Sequence, residues 1–124
     1  MEKVRGIGGI FMKGNNPEGL SQWYADHLGI PLDEWGGSSL PWRHADGTEE
    51  MTIWSVFKQE TEYLKPSDHD FMINYIVDDL DAMLAQLREK GATVVGEAEE
   101  SEFGRFGWVM DPEGHKIELW QPPR

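Results

Sequence analysis

Hydrophobic and polar positions along the chain follow two alternating periods. Leu80, Met83, Leu84 and Leu87 recur at i, i+3, i+4 and i+7, the stripe of an amphipathic helix. Asp78 stands before the stripe as its cap, with Asp79 and Asp81 in the first turn, where carboxylates suit the helix dipole. Arg88 and Lys90 close the last turn and Gly91 stops it, which predicts a helix over 79–90. A second helix is predicted over 17–28. Asn16 precedes Pro17, and Leu20, Trp23, Tyr24, Ala25 and Leu28 follow at helical spacing before Gly29 and Pro31.

The remaining apolar runs are short and bounded by turn residues, as strands are. They are Val4–Lys13, Leu32–Trp35, Leu40–His44, Met51–Phe57, Phe71–Val77, Thr93–Gly96, and the two runs flanking Asp111-Pro112-Glu113-Gly114. That tetrapeptide suits a type I turn, so the flanking runs should pair as an antiparallel hairpin. In its second strand Ile117 and Leu119 share one face, and Lys116, Glu118 and Trp120 the other. Lys58–Asp70 is polar, aperiodic and carries Pro66, which reads as a linker; Ala98–Glu102 reads as an acidic loop.

Each half therefore runs strand, helix, three strands. The expectation is one domain over 1–124 containing a doubled unit, about 4–57 and 70–121, in an α+β fold of two paired βαβββ modules around a cavity. Eleven Lys and Arg against 23 Asp and Glu give a net charge of −12. Such a surface repels phosphate backbones and anionic membranes and attracts cations, so neither nucleic acid nor a membrane is expected as partner. Without cysteine there is no disulfide, thiolate nucleophile or thiolate metal ligand, which fits a cytoplasmic setting. No run approaches the ~20 apolar residues of a membrane span, and GIGGIF is too short for a signal-peptide core.

The doubled βαβββ order, with FMINYIVDDLDAMLAQLREKGATV and the closing FGRFGWVMDPEGHKIELWQ, resembles the vicinal oxygen chelate superfamily. Glyoxalase I, bleomycin-resistance proteins, extradiol dioxygenases and methylmalonyl-CoA epimerase belong to it. The resemblance implies a divalent metal held in the cavity by one ligand from each of four strands, polarising a substrate oxygen. Carried onto this chain, the four positions are Gly9, Trp54, Met72 and Glu118, of which Glu118 alone has a ligand suited to such an ion. Glu118 is thus the candidate for both metal binding and base catalysis, unless it merely sits on a solvated sheet face. Gly9, Phe11, Trp54, Met72, Asn74 and Trp120 are the candidate cavity residues. Lys116 or Arg105 is expected to compensate the Glu118 charge, and His44 is the one histidine retained as a possible site residue.

The missing ligands and the acidic surface favour a small-molecule-binding protein of the glyoxalase and bleomycin-resistance type, with an incomplete metal site and no cofactor. The alternative is a metal-dependent glyoxalase-like lyase or isomerase, or an extradiol-type dioxygenase. Family habit also implies a homodimer.

Overall fold

Hydrogen-bond register joins the two halves into one sheet. The computed structural model describes the whole chain, residues 1–124. Its elements are β1 (Val4–Gly14), α1 (Pro17–Leu28), β2 (Ser38–Arg43), β3 (Glu49–Lys58), β4 (Phe71–Val77), α2 (Leu80–Glu89), β5 (Thr93–Val94), β6 (Glu99–Ser101), β7 (Gly104–Met110) and β8 (Lys116–Gln121). The order across the sheet is β2-β3-β1-β4-β8-β7-β5, with β6 paired to β7. The modules meet edge to edge within the chain, through the antiparallel pair β1–β4. Each first strand also pairs in parallel with the last strand of its own module, β1 with β3 and β4 with β8. This is the α+β architecture expected from the repeat.

Both helices form where the capping residues place them. The Asn16 side chain accepts from the Gly19 N–H at 3.0 Å, and Gly29 leaves α1 in the left-handed region at φ 72°. In α2 the cap is Asp79 rather than Asp78, its carboxylate accepting from the Ala82 N–H at 3.1 Å. The α2 stripe is core: Leu80, Met83 and Leu84 pack with Val77, Val109 and Leu119. On the same side of the sheet, α1 sets Tyr24 against Trp54 with ring centroids 5.0 Å apart. The opposite, inner face is free of helices.

Three expectations are corrected. Leu32–Trp35 is not a strand: the chain turns there, with the Asp33 N–H bonded to the Gly37 carbonyl and the Gly36 N–H to that of Asp33. The acidic stretch Glu99–Ser101 is a strand, recruited by β7. The polar linker is no spacer, since Leu64 is 1% exposed and packs with Met72 and Trp108 on the inner face. The modules therefore depart from strict βαβββ, the first by losing a strand and the second by gaining one.

Candidate functional site

The closing hairpin turns where the sequence directs. The Gly114 N–H bonds back to the Asp111 carbonyl, the Asp111 carboxylate accepts from the N–H groups of Glu113 and His115, and Gly114 takes φ 85°. That turn fixes the register, so Trp108 on β7 lies directly opposite Glu118 on β8, and Asn74 on β4 lies opposite Glu118 from the other side. All three point to the inner face.

Glu118 is 3% exposed and its carboxylate receives three donors. Asn74 Nδ2 bonds Oε1 at 2.7 Å. Oε2 accepts from Trp108 Nε1 at 3.0 Å and from the Tyr63 hydroxyl at 2.5 Å. A buried carboxylate left unpaired would be costly, and here neutral donors of the chain's own side chains hold it. Burial, reinforced by the Glu118 charge and hydrogen bond, pushes the Tyr63 hydroxyl far above the ordinary tyrosine range. Tyr63 is therefore a proton donor to Glu118 at neutral pH.

Lys116 lies on the same face, one strand alternation from Glu118. Its Nζ donates to the Tyr63 carbonyl at 2.7 Å and stands 5.2 Å from the Tyr63 ring centre and 5.5 Å from that of Trp108. Burial pulls this ammonium below the usual lysine range, against the opposing charges of Glu118 and Glu99. Lys116 makes no direct ion pair with Glu118. Arg105 does not compensate Glu118 either, being bound to Asp81 at 2.9 Å and facing Glu100 at 3.8 Å.

The other predicted residues divide between the two faces. Phe11 and Met72 are on the inner face: Met72 is buried, and Phe11 stacks on Phe57 at 5.2 Å. Phe57 meets Tyr63 at 5.8 Å and Tyr63 meets Trp108 at 6.3 Å, so aromatic rings fill the centre of the inner face. The Phe11 ring occupies the space before Gly9, where an added Cβ would come within 2.6 Å of its Cζ. Trp120 shares this face but stacks on Phe106 and donates to the Phe103 carbonyl, without reaching Glu118. Trp54 is on the opposite face, against α1, and His44 pairs with Glu50 at 3.3 Å.

The misplacement of Trp54 has a geometric cause. Gly9 pairs with Asn74 and Phe11 with Met72, so the repeat axis maps Phe11 onto Asn74. Ser55 neighbours Phe11 as Glu118 neighbours Asn74. Ser55, not Trp54, is therefore the first-module equivalent of Glu118. The corrected set of Gly9, Ser55, Met72 and Glu118 still holds one carboxylate. No three His, Asp or Glu side chains converge anywhere in the chain. A divalent ion needs about three protein donors. These residues do not fit one.

The family model of the glyoxalase-like domain matches residues 9–120. The chain belongs to the glyoxalase-like family. With it the chain joins the vicinal oxygen chelate superfamily, as the closing hairpin and the repeat implied. Among solved structures, this glyoxalase-like chain is similar to methylmalonyl-CoA epimerase of Streptomyces coelicolor in complex with 2-nitronate-propionyl-CoA. The TM-score is 0.68 at 19% identity, covering 94% of this chain and 96% of that one. It is also similar to the Mycobacterium tuberculosis methylmalonyl-CoA epimerase, with TM-score 0.62, 22% identity and coverages of 98% and 90%. A Legionella pneumophila structure described as an NAD-dependent benzaldehyde dehydrogenase gives TM-score 0.60 at 16% identity, with coverages of 90% and 96%. At such identities the likeness is one of fold. No curated protein matches the sequence. No helix is long and apolar enough to cross a membrane.

Sequence reasoning missed Tyr63 and Trp108. Trp108 was legible as a neighbour of Glu118 on the paired strand but not as its partner: counting back from the Asp111–Gly114 turn sets Ile117 opposite it, and closure at Asp111–His115 moves the register by one residue. Tyr63 lies in an aperiodic segment and carried no signal.

Proposed function

We propose that this glyoxalase-like protein binds a small organic molecule at the rim of its inner face and uses no divalent metal to do so. The observation that carries this reading is the engagement of Glu118. Both its oxygens are taken by donors of the same chain. The carboxylate is thus an internal anchor, and ligand recognition falls to the groups beside it.

Those groups surround a hollow of about 270 Å³ lined by Tyr63, Trp108, Lys116, Glu62, Glu97 and Glu99, with Val95 and Gly96. Lys116 spends one of its three N–H donors on the Tyr63 carbonyl. The other two suit a carbonyl or carboxylate oxygen. The acidic rim suits an ammonium. A small amphoteric molecule, carrying an oxygen acceptor and an amine a few bonds apart, satisfies both. A homodimer is part of the same proposal. Light scattering at micromolar concentration should give twice the 14.2 kDa chain mass, and a monomer would remove that part.

The test is a thermal-shift panel of amino acids and related zwitterions on wild type, Lys116→Met and Glu99→Gln, with metal analysis of the same preparations. Stabilisation of wild type that weakens in both variants supports the reading. One tightly held divalent ion per chain, lost in Glu118→Gln, would overturn it. That outcome would favour the second reading, a metal-dependent isomerase, whose support is the fold shared with the epimerases.

A further inference from the structure

Glu50 on β3 is a second buried carboxylate. Its side chain is 7% exposed, and it lies directly opposite Trp42 across the β2–β3 pair. The starts of β1 and β3 and the ends of β4 and β8 meet at this end of the sheet, away from the Asp111–Gly114 turn. Two groups reach the carboxylate there. His44 Nε2 stands 3.3 Å from Oε2, and the Arg124 guanidinium, 74 positions along the chain, donates to the same oxygen at 2.6 Å.

The Arg124 contact answers a need of Glu50 rather than of Arg124. A carboxylate this buried requires partners, whereas the Arg124 side chain is 44% exposed and has water within reach. The contact is also incomplete. A guanidinium and a carboxylate match as a two-pronged fork, yet Arg124 engages Oε2 through one nitrogen, and Oε1 receives no donor. The tail explains this: Pro122 is buried and Pro123 follows it, so the approach of Arg124 is stiff. A second unmet group stands beside the first. The Trp42 Nε1 is buried without an acceptor in the chain. Its ring packs on the Gly6 backbone and meets the His44 ring edge-on at 4.7 Å, so it is held in place next to Glu50.

We propose that Glu50, His44 and Trp42 form a binding site for a guanidinium compound, in which Arg124 is the chain's own occupant. A free guanidinium takes both Glu50 oxygens in the fork that the tail does not complete. The Trp42 Nε1–H, unmet within the chain, donates to an oxygen acceptor of the same molecule, and the indole adds cation–π contact. The ligand class is therefore an arginyl derivative whose carbonyl lies a few bonds from its guanidinium. His44 keeps Oε2 oriented. Arg124 acts as a built-in competitor, lowering the apparent affinity by the fraction of molecules in which Glu50 is free. The site shares no residue with the Lys116 rim.

The experiment is an NMR titration of the isotope-labelled full chain with Nα-acetylargininamide and its neutral isostere Nα-acetylcitrullinamide at neutral pH. The arginine compound should shift the Trp42 indole N–H and the amides of His44 and Glu50, leaving the Trp108 indole unmoved. The citrulline compound should bind about tenfold more weakly, the scale of one charge-assisted fork. Arg124→Ala, altered at an exposed position, should tighten arginine binding by about fivefold by removing the competitor. Glu50→Gln should abolish the preference for arginine over citrulline. Equal binding of the two compounds, unchanged or weakened arginine binding in Arg124→Ala, or shifts centred on Tyr63 and Trp108 would each overturn the proposal. Failure here leaves the Lys116 site standing, and the reverse.

Discussion

Replacing Tyr63 by Phe isolates the bond that ties the linker to Glu118. The ring stays, with its contacts to Phe57 and Trp108, and one hydroxyl is lost. A hydrogen bond to a charged group contributes about 1.5–3 kcal/mol. Glu118 would keep Asn74 and Trp108, and Tyr63 is 43% exposed, so water can reach the vacated side of the carboxylate. The expected loss is then about 1–2 kcal/mol, or roughly 4–8 °C in Tm for a chain of this size. Urea unfolding and calorimetry should agree on it. Tyr63 and Trp108 donate to the same oxygen, Oε2, so a double-mutant cycle with Trp108→Phe should show coupling above about 0.5 kcal/mol. A Tyr63→Phe loss below about 0.5 kcal/mol, with additive effects in the cycle, would refute the idea that the linker is pinned through Glu118.

Three further outcomes follow from the packing. Alkaline titration should separate wild type from Tyr63→Phe. The unfolded tyrosine titrates near 10.0, whereas the folded one is raised, so its stabilisation is complete below pH 10 and falls as pH rises further. For one proton the fall approaches about 1.4 kcal/mol per pH unit once the unfolded tyrosine has ionised and the folded one has not, and solvent screening at Tyr63 narrows the pH window over which it runs rather than its slope; urea midpoints from pH 8 to 11 measure it, and parallel curves would sink the assignment. Leu84→Asp should abolish folding or cost more than about 3 kcal/mol, because Leu84 is 4% exposed in the α2 core; circular dichroism of a cooperatively folded variant near wild-type stability would contradict this. Gly8→Ala should cost about 1–3 kcal/mol by overpacking, since its Cβ would lie 2.4 Å from Asn74 Oδ1 and 2.7 Å from Trp120, and an unchanged urea midpoint would show that β1 can shift aside.

Much of the fold was legible because its signals are local. Caps, a helical stripe and a Pro-Gly turn are decided within a few residues, and α1, α2 and the β7–β8 hairpin formed where those residues placed them. The faces of β8 followed from alternation alone. Features decided by distant partners were not legible. Glu99–Ser101 is polar, and only the edge offered by β7 makes it a strand. Leu32–Trp35 has strand-like residues but bends through Gly36 and Gly37 into a turn. The linker looks like a spacer in sequence, yet two of its residues, Tyr63 and Leu64, cover the inner face, one with its hydroxyl and one with its apolar surface.

The repeat sets Glu118 opposite an apolar half-site. An ion held on the axis between modules needs donors from both. In the second module the polar pair Asn74 and Glu118 is intact. Their axis-related equivalents in the first module are Phe11 and Ser55. Phe11 covers Gly9 and stacks on Phe57, so the first module presents apolar surface where donors would stand. Glu118 therefore faces a hydrophobic half-site, and a lone buried carboxylate there requires other donors. The linker delivers one in Tyr63, and β7 delivers another in Trp108. Gly9→His alone should therefore create no metal site, because Phe11 fills the space and Tyr63 occupies Oε2, and metal analysis of that purified variant checks it.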